Sequence, residues 1–216
     1  MSSPTPKLTP SGLSALMCAR ICHDLVSPIG ALGTALEVLG DESNADMHAD
    51  ALELVKTSAG QASAKLQYLR LAFGAGGSAP GIIAMDELKR LVSNMYRREK
   101  SEIIWENAPD GLEKTQARLL LNLIMLAVQA IPRGGQLTLS IQQEEGLTVL
   151  NLCSEGLKAR LDPVVVETLA GKAPEDGFDG RSIQPFYAGM IVRELKGHIQ
   201  ATSDDTQVIF TANLPV

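Results

Sequence analysis

Residues 22–28 of this 216-residue chain read Cys-His-Asp-Leu-Val-Ser-Pro, and their types suit nucleophilic chemistry. A neutral imidazole attacks an electrophile through one ring nitrogen, while a carboxylate beside it orients the ring and steadies the positive charge that develops. His23 and Asp24 make that pair. Pro28, in the same helical stretch, has no N–H to donate to the carbonyl of Asp24, so the backbone beside the histidine is locally unusual. Ser27 and Gly30 are small and leave room for a second molecule to approach.

The element that must carry these residues is a long helix. Leu25, Ile29, Leu32, Leu36 and Leu39 recur at helical spacing and form one apolar stripe. At about 100° per residue, His23 lies roughly 160° from the middle of that stripe, and Arg20, Ser27, Gly30 and Thr34 point the same way. A lone helical histidine is ordinarily a packing or surface residue. This one is expected to face solvent, where another protein can reach it.

Helical periodicity runs over residues 11–39, breaks at a turn over 41–44, and resumes with Ala51, Leu54, Val55, Ser58, Ala62, Leu66, Leu69 and Phe73 on one face. The run Gly-Ala-Gly-Gly-Ser-Ala-Pro-Gly at 74–81 then interrupts everything. The organisation expected is a flexible tail (1–10), a helical hairpin (11–74), a linker (75–81) and a second domain (82–216). Two helices alone bury too little surface to stand by themselves, and pairing with a second copy makes a four-helix bundle. A homodimer through the hairpin is therefore expected. In the second domain the pattern predicts helices over 86–100, 115–131, 161–169 and 185–195. Strands are predicted over 101–107, 136–143, 147–154, 198–203 and 206–213. That order suggests an α+β sandwich with helices covering one face of a mixed sheet.

Composition narrows the partners. A net charge of −6 and an isoelectric point near 5.1 argue against nucleic acid or an anionic membrane as the main partner. Cys18, Cys22 and Cys153 are odd in number and lack CxxC spacing, so free thiols in a cytoplasmic protein are expected. Residues 1–10 have no apolar signal core, and the apolar stretch 119–131 is too short and mixed to span a bilayer. His48 and His198 lack partners at metal or catalytic spacing, and no metal site is expected. Trp105 is expected to pack in the second core.

His-Asp-Leu-Val-Ser-Pro resembles the H box of two-component histidine kinases, in which the histidine is phosphorylated on a dimerising helical hairpin. The stretch Leu-Leu-Asn-Leu-Ile-Met-Leu-Ala-Val-Gln-Ala-Ile-Pro-Arg-Gly-Gly ending at Gly135 resembles the kinase N box. The chain departs from kinases at three places. Leu126 stands where the resemblance calls for a magnesium-binding asparagine, and an apolar side chain cannot ligate a hard cation. Cys-Ser-Glu-Gly-Leu-Lys at 153–158 replaces the adenine-contacting DxGxG. Gln-Pro-Phe-Tyr-Ala-Gly at 184–189 replaces the phosphate-cradling glycine turn. The combination resembles the ChpT-type histidine phosphotransferases of alphaproteobacteria: an H-box hairpin followed by a degenerate ATPase-like domain.

That resemblance implies a phosphorelay intermediate without ATP or any other cofactor of its own. His23 takes phosphate from the receiver domain of a hybrid histidine kinase and passes it to response regulators of the CtrA or CpdR kind, with Mg2+ held by the receiver. Asp24 then orients the imidazole, Arg20 adds charge near the phosphoryl oxygens, and Ser27, Gly30, Ala31 and Thr34 form the receiver-docking surface. Two other readings stay open on the sequence: an autophosphorylating kinase with an atypical nucleotide site, and a non-enzymatic interaction adaptor.

Overall fold

The computed structural model describes residues 8–74 and 79–215; most of the expected tail and four of the seven residues of the expected linker lie outside the described residues. The first part is a helical hairpin. Helix α1 (Pro10–Gly40) is opened by Thr9, whose Oγ1 accepts from the Gly12 amide at 3.1 Å, with Pro10 in the first turn where its missing N–H costs nothing. Asp41 then caps a 3-10 turn (Glu42–Met47), accepting from the Ser43 amide at 2.9 Å, and α2 (His48–Ala72) runs back along α1. The turn is longer than the four residues expected and runs through Met47.

Seven strands and four helices follow: β1 (Ile82–Ala84), α3 (Met85–Tyr96), β2 (Ser101–Asn107), β3 (Gly111–Glu113), α4 (Lys114–Gln129), β4 (Gly135–Glu144), β5 (Leu147–Glu155), α5 (Pro163–Leu169), α6 (Ile183–Glu194), β6 (His198–Ser203) and β7 (Gln207–Pro215). The main sheet has the order β2-β4-β5-β7-β6, with β2 and β4 parallel and the rest antiparallel. Alternate residues of β4, β5 and β7 are buried under the helices. This is the expected helical hairpin followed by a mixed-sheet sandwich. The antiparallel pair β1–β3 was not expected, because three-residue strands carry too little alternation to read. The helix expected over 86–100 stops at Tyr96, and α5 starts at Pro163 because Asp162 caps it, accepting from the Val164 amide at 3.0 Å.

The hairpin and the sandwich share one core. Tyr68, Leu69 and Ala72 at the end of α2 are fully buried in the same apolar cluster as Leu119–Ala127 of α4 and Phe210 of β7. Polar bonds reinforce the join. The Tyr68 hydroxyl donates to the Leu121 carbonyl at 2.7 Å, and Asn122 Nδ2 donates to the Ala72 carbonyl at 2.7 Å. Tyr68 also meets Tyr96 edge to face at 5.9 Å, and burial pushes both phenol pKa values up. Trp105 packs half-buried against this core.

Helix α1 is held differently. Its inward face is Met17, Ile21, Pro28 and Ala35, rotated by about 65° from the leucine stripe that periodicity suggested. Ile29 and Leu36 of that stripe are exposed, Leu36 by 58%. Small residues let α1 lie close to α2, and this leaves the stripe only partly covered by the chain's own second helix. By length and composition alone α1 is also apolar enough to cross a bilayer. Its Arg20, His23 and Asp24 make polar contacts with one another and with the sandwich.

Candidate functional site

His23 and Asp24 are adjacent in sequence but 100° apart around α1, so the two side chains have different surroundings. The imidazole is 81% exposed while the carboxylate is 13% exposed. They meet at the helix edge, where His23 Nδ1 lies 3.2 Å from Asp24 Oδ1. A carboxylate accepts, so this contact suits a ring that carries its proton on Nδ1 and keeps the Nε2 lone pair for reaction.

Asp24 is held from two directions, and its partner Arg20 is held from a third. Arg20 Nε donates to Asp24 Oδ2 at 3.1 Å, one turn earlier on α1. The Asp24 carbonyl lacks its ordinary helical donor because residue 28 is proline, and Lys65 Nζ from α2 donates to it at 3.1 Å. The third tie comes from the sandwich, as Arg20 Nη1 donates to the Gly180 carbonyl at 3.0 Å. Gly180 sits in a tight turn built by Asp179, whose Oδ1 accepts from the amides of Arg181 and Ser182 at 2.9 and 2.8 Å and from Ser182 Oγ at 2.7 Å. Those bonds, the Ser182 hydroxyl first, hold the Asp179 carboxyl below its ordinary pKa.

His23 stands on the rim of a cleft of about 800 Å³ between α1 and the sandwich. Arg20, Arg160, Asp162, Asp179 and Arg181 line it as well. The cleft reaches α4 at Leu126, which is buried. The residues around it are committed inward. Asn122 Nδ2 donates to the Ala72 and Arg118 carbonyls at 2.7 and 2.9 Å, while its Oδ1 is buried without a hydrogen-bond partner among the described residues. Gln184 is fully buried and donates to the Asn122 carbonyl at 3.2 Å, and Ile183 and Pro185 beside it are buried too. Gly189, deeper in α6, has no room for a Cβ because the Leu169 carbonyl lies against it.

Among the sequence candidates, Ser27, Gly30 and Thr34 lie exposed on the His23 side of α1, with Thr34 Oγ1 donating to the Gly30 carbonyl at 3.3 Å. Ala31 is half-buried toward α2, at the border of that face. Arg20 is a correction: it was expected to face solvent with His23, but its side chain is 13% exposed and tied to Asp24 and Gly180. His48 Nε2 contacts the Asp41 carbonyl at 3.3 Å in the hairpin turn, and His198 is exposed at the start of β6. The sequence reading missed Lys65, the 179–182 turn, Arg160 and Arg181. Lys65 had one signal, the carbonyl that Pro28 must leave free. The turn had none, lying some 160 residues from Arg20.

Comparison with known proteins gives three findings beside this geometry. The family model for the histidine phosphotransferase C-terminal domain matches residues 85–207. Over 202 residues the chain is 40% identical to the protein phosphotransferase ChpT of Brucella abortus (strain 2308), covering 93% of this chain and 94% of that one. A solved bacterial phosphotransferase is similar with a TM-score of 0.85 at 35% identity, over 97% of this chain and 100% of its own.

Proposed function

The chain belongs to the histidine phosphotransferase family, and on that premise we propose that His23 is its phosphoacceptor in a phosphorelay. It accepts the phosphoryl group from the receiver domain of a hybrid histidine kinase and hands it to the aspartate of a response regulator of the CtrA or CpdR kind. The observation that supports this most is an exposed imidazole whose Nδ1 is engaged by a largely buried carboxylate, which leaves Nε2 free.

In the transfer, the Nε2 lone pair attacks the phosphorus of the receiver's aspartyl phosphate. The N–P bond forms as the O–P bond breaks, and the receiver's carboxylate departs in line. Positive charge grows on the ring and is met by Asp24 across Nδ1–H. The receiver brings Mg2+ and its own charge-neutralising groups; Arg20, on the same cleft, adds positive charge nearby. An acyl phosphate and a phosphohistidine are both reactive, so the step runs either way according to partner concentrations.

Docking uses the open face Ser27, Gly30 and Thr34 with Ala31 at its edge. The uncovered apolar residues Ile29 and Leu36 on α1, with Leu52 and Leu66 on α2, suit a second copy of the hairpin and a four-helix bundle. We read the sandwich as needing no ATP, since Leu126 offers no ligand to a hard cation. Free thiols suit the reducing cytoplasm, where receiver domains work.

The test is to incubate the purified chain with a radiolabelled phosphorylated receiver. Wild type is expected to acquire acid-labile label and His23→Gln none. Failure of wild type to take label, or labelling of the variant, overturns the assignment.

A further inference from the structure

The side chain that links the two parts of the molecule next to His23 is Arg20. Its guanidinium spans from the Gly180 carbonyl at 3.0 Å to Asp24 Oδ2 at 3.1 Å, and the other oxygen of the same carboxylate receives His23 Nδ1 at 3.2 Å. Resting on the phosphoacceptor reading of His23, we propose that Arg20 is a positioning residue through which the 179–182 turn of the sandwich sets the tautomer and orientation of the imidazole.

Three observations carry this. Arg20 and Asp24 are each 13% exposed, so the pair is shielded enough for its geometry to persist, unlike an ordinary surface ion pair. The far end of the link is a backbone carbonyl in a turn braced by the side chain of Asp179. Finally, the Asp24 carbonyl is held independently by Lys65, so the helix backbone at this point is pinned and the remaining freedom is that of the carboxylate. With Nη1 anchored on the Gly180 carbonyl, Nε–H holds Oδ2 in place and Oδ1 is left toward the ring. With that oxygen fixed, Nδ1–H is favoured over Nε2–H, and the nucleophilic lone pair stays on the nitrogen that faces a docked receiver.

The charged and titratable groups near this link are His23 and Arg20 on α1, Lys65 on α2 and Tyr96 on α3, with Arg160, Asp162, Asp179 and Arg181 lining the cleft that Arg20 and His23 share. Among the described residues, Arg20 hydrogen-bonds both Asp24 and the sandwich. The sandwich thereby has a use that involves no nucleotide: it supplies the fixed end of the link.

The test combines two readouts on the full chain, wild type against Arg20→Ala, Arg20→Lys and Asp179→Ala. Long-range 1H–15N correlation on 15N-histidine protein reports the His23 tautomer without any partner. Single-turnover transfer from a phosphorylated receiver separates the maximal rate from the half-saturating receiver concentration. In wild type His23 is expected as the Nδ1–H tautomer. Arg20→Ala is expected to shift it toward a mixture and to lower the maximal rate about tenfold or more, with little change in half-saturation. Asp179→Ala should move both readouts the same way by less, and Arg20→Lys should restore part of each. An unchanged tautomer in folded Arg20→Ala and Arg20→Lys overturns the positioning role, as does a loss confined to half-saturation, which marks docking. Absence of label on wild-type His23 instead defeats the phosphotransfer reading, and the tautomer measurement still decides for Arg20.

Discussion

Helices α1 and α4 are both apolar, and the molecule uses them in opposite ways. Every residue of α4 from Leu119 to Ala127 is buried, since α4 lies between the sheet on one side and α2 and α6 on others. Helix α1 is almost twice as long, yet buries fully only Met17, Pro28 and Ala35. The chain covers α4 with itself and leaves α1 open. Apolar content alone therefore does not say which helix is core. A helix covered on all sides supplies stability, whereas one covered on a single side keeps its other faces for molecules the chain must meet.

Substitutions on the two helices should separate these roles. The largest loss of stability is expected on α4: Leu123→Ala should cost about 2–5 kcal/mol, read as a lower midpoint in chemical denaturation, because the site is enclosed and cannot collapse. A cost near zero would mean that α4 is not the covered helix described. The paired change Ile29→Glu and Leu36→Glu on α1 should act on association instead. Sedimentation is expected to show a shift from dimer to monomer at micromolar concentration, with the near-ultraviolet signal of the sandwich retained. Loss of that signal would place these residues in the chain's own core and erase the contrast.

The smallest effect concerns the turn that joins the two parts. Asp179→Ala should cost about 1 kcal/mol at neutral pH by removing the acceptor for two amides and a hydroxyl. The sign with pH follows from its lowered pKa. A carboxyl held below its unfolded value stabilises the fold above about pH 4 and loses that contribution as pH falls through the folded value. The gap between wild type and Asp179→Ala should thus close on acidification below about pH 4. A gap that stays constant down to strong acid would show that the carboxylate's charge is not what braces the turn.

Much of the local plan was readable. The imidazole–carboxylate pair, the exposed histidine, the order of hairpin and sandwich, and the five main strands follow from helical and alternating periodicity, which depends only on which residue types face a core. The three-residue strands β1 and β3 were below the length at which alternation is visible. The leucine stripe was legible as apolar, but its orientation was not: Pro28, Ala31 and Ala35 turn toward α2 since small residues allow close approach, and Ile29 and Leu36 are left outside.

At the site, sequence alone determined that His23 has a carboxylate neighbour and a proline that frees a carbonyl one turn on, because both depend on covalent order. It could not say what fills that carbonyl, nor that Arg20 turns inward. Lys65 and Gly180 reach the site from 41 and 160 residues away. Only the packing of α2 and the sandwich against α1 brings them within hydrogen-bonding distance, and so only the tertiary structure decided which way the residues around the histidine are held.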